Sequence, residues 1–237
     1  TRRSSDLYKH HTLMIMNPSA NLTKDRKDLS PYLFHFTKGA DAYDRLVNIL
    51  TQLKLVSDAH NYICFTETPI TLFKENLAYM NKFCKPMLSY YGIGFSRDLL
   101  INDFGAKSVI YGDETDRINL SRVGMDWRFE ELNVQAHDFT WLREWRIRDE
   151  FDFSTISAED VIIIAQTDDE IKTLCSLQEL EDIDYEYEPE IGECTIWPMF
   201  SNIRGWKGIS LERLNNYSSD KEVERYSKAL KIGDYLE

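Results

Sequence analysis

Short apolar runs that suit strands alternate along the chain with stretches whose apolar residues recur at helical spacing. This pattern predicts strands at residues 33–37, 63–65, 91–95, 109–111, 144–147 and 161–165. The last run contains no polar residue, which is typical of a central strand covered on both faces. We therefore expect an α+β protein with a central mixed or antiparallel sheet flanked by helices.

Helices are predicted where the apolar residues share one face of a 3.6-residue period. Asp41 can cap the first helix, whose apolar face would hold Leu46, Val47, Leu50 and Leu53. A second helix follows the second strand, with an apolar face of Leu72, Phe73, Leu77 and Met80. Asp168 or Asp169 can cap a third helix, and the spacing of Ser219 and Glu222 suits the capping box of a C-terminal helix.

Gly92 and Gly94 lie inside the strand predicted at residues 91–95. Glycine within a strand indicates that another group approaches the backbone closely. No phosphate-binding loop is predicted here, because neither G-x-G-x-x-G nor G-K-S/T follows. The strand at residues 109–111 is expected to be its neighbour in the sheet.

An acidic segment at residues 181–190 alternates carboxylates with Tyr185 and Tyr187, and Pro189 follows. Its period is not helical, so it is predicted to be a linker, a solvated face, or a loop or edge that touches a partner. The whole chain has 40 acidic and 28 basic residues, a net charge of -12. That charge disfavours nucleic acid as a partner and favours a basic protein.

We expect an N-terminal arm at residues 1–30, an α+β domain at 31–180, and an acidic segment with a helical extension of the same domain at 181–237. No apolar run approaches the roughly 20 residues that cross a bilayer, and the N-terminal region lacks the apolar stretch of a signal peptide. The four cysteines form no C-x-x-C pair. This pattern predicts reduced thiols in a cytoplasmic protein rather than a zinc site.

His35, Tyr91 and Glu144 are candidate catalytic residues, each in a predicted strand. The motifs around and between them follow one another as Ile63-Cys64-Phe65-Thr66-Glu67-Thr68-Pro69, Tyr91-Gly92-Ile93-Gly94-Phe95-Ser96-Arg97-Asp98, Gly105-Ala106, Val109-Ile110-Tyr111 and Glu144-Trp145-Arg146. Together they resemble the AbiGi family of abortive phage-resistance proteins, over residues 31–164. The order of these short motifs carries most of the resemblance.

That family is similar to ADP-ribosyltransferases, in which a histidine, a tyrosine and a glutamate on successive strands surround NAD. The resemblance implies that His35 binds the adenosine ribose, Tyr91 stacks on nicotinamide, and Glu144 binds the nicotinamide ribose. A fixed carboxylate would stabilise the oxocarbenium-like charge that develops as the nicotinamide bond breaks. Further NAD contacts are implied for Thr37, Tyr90 and Arg146.

The candidate residues also have ordinary structural roles open to them. His35 can be half-buried between phenylalanines, Tyr91 can bury its ring, and Glu144 can pair with an arginine across strands. The sequence departs from the transferase pattern at Leu142, because transferases with protein targets commonly carry an acid or glutamine two residues before the catalytic glutamate, and this departure disfavours modification of arginine. His137 and Asp138 are a second, nonspecific candidate for general-base catalysis.

Two other functions remain open beside NAD-dependent transfer in phage defence. A non-catalytic antitoxin, sensor or subunit of a defence complex would suit the acidic surface and a protein partner. A metal-dependent nuclease ranks last, because its candidate ligands are dispersed along the chain. Those ligands are Asp98, Asp103, Asp113 and Glu144.

Overall fold

The structure is a computed structural model, and it describes residues 26–57, 60–82, 87–135, 138–188, 193–202 and 205–229. Its strands are β1 (Tyr32–Phe36), β2 (Lys54–Leu55), β3 (Tyr62–Thr66), β4 (Gly92–Ser96), β5 (Lys107–Ser108), β6 (Ile110–Gly112), β7 (Phe129–Glu131), β8 (Glu144–Arg148), β9 (Phe151–Asp152), β10 (Val161–Ala165), β11 (Gln178–Glu188), β12 (Glu193–Asn202) and β13 (Lys207–Ser210). Its α-helices are α1 (Ala42–Gln52), α2 (Ile70–Met80), α3 (Arg97–Asn102), α4 (Glu114–Ser121), α5 (Asp168–Cys175) and α6 (Asp220–Ala229). Within these ranges, none of the helices combines the length and the apolarity needed to cross a membrane. Most of the predicted N-terminal arm lies outside the described residues.

Seven strands form the central sheet, in the order β13-β10-β4-β1-β3-β8-β5. Neighbouring strands are antiparallel, except that β10 and β13 are parallel. The sheet is therefore mixed, which confirms the α+β class expected from the sequence. Five of the six predicted strands lie in it.

The sixth predicted strand, at residues 109–111, was assigned the wrong neighbour. β1 and β10 occupy both edges of β4, so no further strand can pair with it. The chain leaves the sheet after β5, where the Val109 N–H donates to the Glu144 carbonyl at 2.9 Å. β6 then pairs in parallel with β7, in a separate two-stranded sheet.

The central sheet is covered on both faces. Helices α1, α3 and α5 pack on the first face, whose core includes Leu33, Phe65, Ile93 and Ile163. Helices α2 and α6 pack on the second face, whose core includes Phe34, Phe73, Ile162 and Ile164. Every residue of β10 is buried, which confirms the covered central strand predicted from its apolar run.

Gly92 and Gly94 allow the aromatic residues of β1 to lie against β4. A Cβ atom on Gly92 would fall 2.7 Å from the ring of Phe36. A Cβ atom on Gly94 would fall 2.7 Å from the ring of Phe34 and 2.8 Å from Ile162. The close approach predicted from the two glycines is confirmed, and the approaching groups are side chains of the second face.

Two predicted helix caps are replaced by other contacts. Asp41 precedes α1, but its carboxylate accepts a hydrogen bond from Arg45 and bonds no backbone N–H of the helix. Helix α5 is capped by Thr167, whose hydroxyl accepts from the Glu170 N–H. Asp168 instead directs its carboxylate to the C-terminal segment of the chain. The N-cap of α5 therefore lies one residue before the predicted Asp168.

Asp220 joins the C-terminal segment to the rest of the domain. It is buried at the start of α6, and its carboxylate accepts from the N–H groups of Ile70 and Thr71 at 2.9 and 3.0 Å. The first N–H groups of a helix have no partner within the helix, so Asp220 caps α2 from 150 residues away. β13 and α6 therefore pack together with the central sheet.

Candidate functional site

His35 lies on the first face of the sheet, on β1. Its ring packs edge-on against Phe65, with the ring centroids 6.0 Å apart. Its Nδ1 atom lies 2.9 Å from the Cys64 carbonyl oxygen of the neighbouring strand. The imidazole is therefore part of the contact between β1 and β3.

Thr37 and Tyr91 lie on the same side of the sheet as His35 and join it to helices. The Thr37 hydroxyl lies 2.8 Å from the Ala42 carbonyl oxygen at the start of α1. The Tyr91 phenol donates to Glu170 Oε1 at 2.7 Å, which attaches β4 to the capping box of α5. Burial, strengthened by this hydrogen bond to Glu170, raises the pKa of Tyr91. The Thr37 hydroxyl and the Tyr91 phenol, both predicted to contact NAD, thus form hydrogen bonds within the protein that join the sheet to helices.

Glu144 lies on the second face. In the antiparallel pair β3–β8, Thr66 is directly opposite Glu144 and Cys64 is directly opposite Arg146. In the pair β1–β3, Phe34 is directly opposite Thr66. Directly opposite residues share a face, so Glu144 lies on the side of Phe34 and the second core.

His35 and Glu144 therefore lie on opposite faces of the sheet, and the single cleft expected for them does not form. The order of the candidate residues along the chain does not determine to which face each side chain points. The two tyrosines are divided in the same way, because Tyr91 packs on the first core and Tyr90 on the second. From the predicted site, the structure brings Glu144 together with Arg146 on the second face, and Thr37 together with Tyr91, whose carbonyl oxygen accepts from the Thr37 N–H at 2.9 Å.

Arg146 is the centre of a buried charge cluster on the second face. Its side chain is 3% exposed, and that of Glu144 is 10% exposed. The Arg146 Nε donates to Glu144 Oε1 at 2.7 Å, and Nη2 donates to Glu130 Oε2 at 2.6 Å. Two carboxylates thus compensate the charge of the buried arginine. Removing either one would leave buried charge without its partner and would destabilise the fold.

The same guanidinium fixes the turn before β7 against the sheet. Its Nη1 donates to the carbonyl oxygens of Trp127 and Phe129 at 3.0 and 2.9 Å, and it lies over the Tyr62 ring at 4.2 Å. Burial alone would lower the pKa of Arg146, but its carboxylate partners, chiefly Glu144, raise it instead. Four of its five N–H groups donate hydrogen bonds within the protein, so Arg146 has a structural role.

Cys64 and Tyr111 are neighbours of this cluster, and both hold their protons tightly. Cys64 is exposed to solvent, but the packing around its thiol and the nearby Glu144 carboxylate raise its pKa to about 12. Burial and the charge of Glu144 also raise the pKa of Tyr111 to about 12. At neutral pH the Cys64 thiol is protonated, so it is poorly suited to act as a nucleophile.

The acids considered for a metal site have separate roles. In the described part of the chain, no three His, Cys, Asp or Glu side chains meet in an arrangement that could hold a metal ion. Asp98 lies 3.5 Å from Arg97, and Asp113 caps α4. Asp138 accepts from Thr140, and its predicted partner His137 lies outside the described residues.

Two carboxylates that bind arginine side chains, Glu130 and Glu67, were missed by the sequence analysis. Glu130 binds Arg146 from 16 positions away, and no local motif marks such a pair. Glu67 accepts from Arg97 Nε at 2.7 Å and from Trp145 Nε1 at 2.8 Å, on the first face. Trp145 therefore faces away from Glu144.

Residues 181–188 of the predicted acidic segment are part of a two-stranded ribbon, formed by β11 and β12 and separate from the central sheet, and residues 189–190 lie outside the described residues. Residues 181–188 form a strand rather than a linker or loop, because extended pairing with β12 satisfies their backbone groups. By register, one face of the ribbon is mainly apolar and carries Gln178, Leu180, Ile183, Tyr185, Tyr187, Cys194, Ile196, Pro198, Phe200 and Asn202. The other face carries Glu179, Asp182, Asp184, Glu186, Glu188, Glu193, Thr195, Trp197, Met199 and Ser201.

A shift of register between Leu180 and Asp182 keeps the two faces of the ribbon chemically distinct. Leu180 and Ile183 are three positions apart and would fall on opposite faces of a regular strand. The extra residue at the bulge places both on the apolar face. Tyr187, near the end of β11, is 60% exposed.

Comparisons with known proteins add no relative. No protein-family model matches the chain, and neither the curated proteins nor the solved structures contain a significant match. The resemblance to phage-resistance proteins therefore stays a prediction.

Proposed function

We propose that this chain is a non-catalytic protein-binding module, an antitoxin, sensor or subunit of a defence complex, which binds a basic partner protein through the β11–β12 ribbon. The distribution of charge is the observation that carries this proposal. Residues 178–202 contain eight acidic and no basic residues, in a chain whose net charge is -12. Most of the excess negative charge is thus concentrated in one element, where it attracts a basic surface and repels nucleic acid.

The shape of the ribbon suits this role. Its strands have 11 and 10 residues, so each extends over about 30 Å at the usual rise of a strand. Neither strand pairs with a third strand of the described chain. The outer edges therefore offer N–H and C=O groups to an extended peptide, as in binding by strand addition.

The separation of the two faces defines the chemistry of the partner. A segment that alternates basic and apolar residues would place its charges beside the acidic face and its apolar side chains beside the other face. A second ribbon would bring acid against acid, so the same charges oppose self-pairing. The partner that fits is a basic, extended protein segment.

NAD-dependent transfer is less well supported. That chemistry needs His35 and Glu144 beside one bound NAD, whereas the register assigns them to opposite faces. Glu144 is also committed to Arg146 in a buried ion pair. No other contact of the described residues favours an NAD site.

The proposal is tested by titrating the protein with a decapeptide that alternates lysine and valine. We expect saturable binding that weakens as the salt concentration rises, because the contact is partly electrostatic. A peptide of five valines followed by five lysines has the same charge but lacks the alternation, so it should bind more weakly. Equal binding of the two peptides, or none of either, would overturn the proposal.

A further inference from the structure

We infer that the apolar run Leu13-Met14-Ile15-Met16 of the N-terminal arm binds the exposed face of α2 in the same chain. The run lies outside the described residues, whereas the helix and the point at which the described chain begins are both in the structure. The inference goes beyond the proposed function and uses no residue of the ribbon. The exposed face of α2 consists of Leu72, Glu75, Asn76 and Tyr79.

Two large apolar side chains project from α2 into solvent. Leu72 is 57% exposed and Tyr79 is 61% exposed, whereas Ile70, Phe73 and Leu77 on the opposite side of the helix are buried in the second core. Seven residues make almost two full turns, so Leu72 and Tyr79 lie on one side of the helix, about 10 Å apart along its axis. The outer side of α2 therefore has an apolar pair that the described residues leave open to solvent.

The described chain begins beside the N-terminal end of α2. The Lys221 Nζ donates to the Arg26 carbonyl oxygen at 3.0 Å, at the start of α6. Ser30 is buried and hydrogen-bonds Asp220, the same residue that caps α2. The residues before Arg26 therefore leave the domain close to the first turn of α2, which contains Leu72.

The length of chain between the run and Arg26 permits the contact. Nine residues, 17–25, separate them, and an extended chain of that length spans about 30 Å. Helix α2 has 11 residues and is about 16 Å long, so the run can reach any point of its exposed face. An extended run of four residues measures about 10 Å from its first Cα to its last, which matches the separation of Leu72 and Tyr79.

The side chains of the run suit a shallow apolar surface. It is the longest apolar run within residues 1–25, and two of its four residues are methionines. Methionine is unbranched and adapts to irregular surfaces, and its sulfur makes favourable contacts with aromatic rings such as that of Tyr79. Binding would remove apolar side chains of both the arm and α2 from water.

The same chain is the favoured source of this segment, because the run is tethered beside α2. A tether of this length gives an effective concentration of about a millimolar, which a free partner seldom reaches. Charge acts in the same direction. Residues 1–25 contain four basic and two acidic residues in a chain whose net charge is -12, so the arm is attracted to the rest of the protein.

Oxidation of Met14 and Met16 by hydrogen peroxide, followed by mass spectrometry, tests the inference. A synthetic peptide of residues 9–20 gives the rate of the unbound run. In the full chain we expect both methionines to oxidise at least about threefold more slowly, because a bound run reacts only while it is open. Leu72→Gln with Tyr79→Gln should restore the peptide rate and leave the melting temperature unchanged, since both side chains are exposed.

Val56→Gln is the matched control, since Val56 is 63% exposed and lies outside α2. This variant should keep the protection of the wild type, and the protection should not depend on protein concentration. Oxidation of the wild-type arm at the peptide rate, or protection that persists in the double variant, would overturn the inference. Protection that is lost on dilution would also overturn it, because the contact would then be with a second copy.

Discussion

The Arg146 guanidinium donates to the Glu144 carboxylate at 2.7 Å, two residues away on the same face of β8. This pair explains why Glu144 does not meet His35, because the glutamate is directed into the second face with its arginine. It also explains how residues 127–130 are attached to the central sheet, since the remaining donors of Arg146 bind backbone and carboxylate oxygens of that segment.

Replacing Arg146 by methionine should strongly destabilise the protein. The change would leave Glu144 buried without its cation, which costs about 3–5 kcal/mol in the free energy of unfolding. Urea denaturation measures this loss. Arg148→Met is the control, since Arg148 is exposed on the same strand and its loss should cost no more than about 0.5 kcal/mol. Equal losses in the two variants would contradict the role of the cluster.

Cys64 should react slowly with iodoacetamide although it is exposed. Its pKa of about 12 lowers the thiolate population at pH 8 by a factor on the order of a thousand relative to a free cysteine. The rate, followed by mass spectrometry of the Cys64 peptide, should rise with pH well beyond pH 9. Glu144→Gln removes a neighbouring negative charge, so it should speed the reaction. Rapid alkylation at pH 8 would contradict the assigned environment.

The raised pKa of Cys64 also predicts how this residue affects the pH dependence of the free energy of unfolding. Because its pKa is raised in the folded state, that state binds the proton more tightly than the unfolded chain does. The stabilising contribution is complete below the ordinary thiol pKa and is lost as the pH rises toward about 12. Cys64→Ala should therefore reduce the loss of stability between neutral and alkaline pH.

Asp220→Ala should remove the cap of α2. The N–H groups of Ile70 and Thr71 would then be buried without an acceptor, at a cost of about 2 kcal/mol in the free energy of unfolding. Asp169→Ala is the control, because the Asp169 side chain is 96% exposed. Thermal denaturation compares the two variants, and a control that loses as much stability as Asp220→Ala would contradict the cap.

The pKa of Asp220 is raised by burial, which gives its contribution a definite pH dependence. The folded state holds the proton more tightly, so the contribution of Asp220 is largest in acid and falls as the pH rises through the raised pKa. Asp220→Asn should flatten this part of the stability profile. An unchanged profile would show that Asp220 titrates normally.

Calorimetry with NAD tests the residues predicted from the family resemblance. Since His35 and Glu144 are on opposite faces, we expect no NAD binding that depends on both of them. If NAD binding is measurable, His35→Ala and Glu144→Gln should have additive effects within about 0.5 kcal/mol. Binding that either substitution alone abolishes would restore the catalytic assignment.

Much of the fold could be predicted from local pattern. The apolar run of β10 and the two glycines of β4 each correspond to a buried environment in the central sheet. These signals are local, because they depend on how one strand packs against its immediate neighbours. The strand at residues 109–111 was misplaced because strand pairing is decided by distant parts of the chain.

The candidate site was less predictable, because it too depends on strand pairing between distant parts of the chain. His35 and Glu144 were assigned to the correct strands, but the relative orientation of their side chains depends on the register of β1, β3 and β8. The segment at residues 181–190 was predicted to be a linker, a solvated face, or a loop or edge, and its pairing was missed because the partner strand β12 lies further along the chain. Once that pairing is known, its alternation of acids and apolar residues is that of a strand.

The central claim, that the ribbon binds a basic partner, is tested most directly by reversing charge on the ribbon and on the body of the domain in matched variants. Glu186→Lys with Glu188→Lys changes the acidic face, whereas Glu75→Lys with Asp103→Lys changes two exposed acids elsewhere by the same charge. We predict that the ribbon variant binds the lysine–valine peptide at least about tenfold more weakly than wild type, with an unchanged melting temperature, and that the body variant binds within about twofold. Equal weakening in both variants, or wild-type affinity in the ribbon variant, would contradict the account.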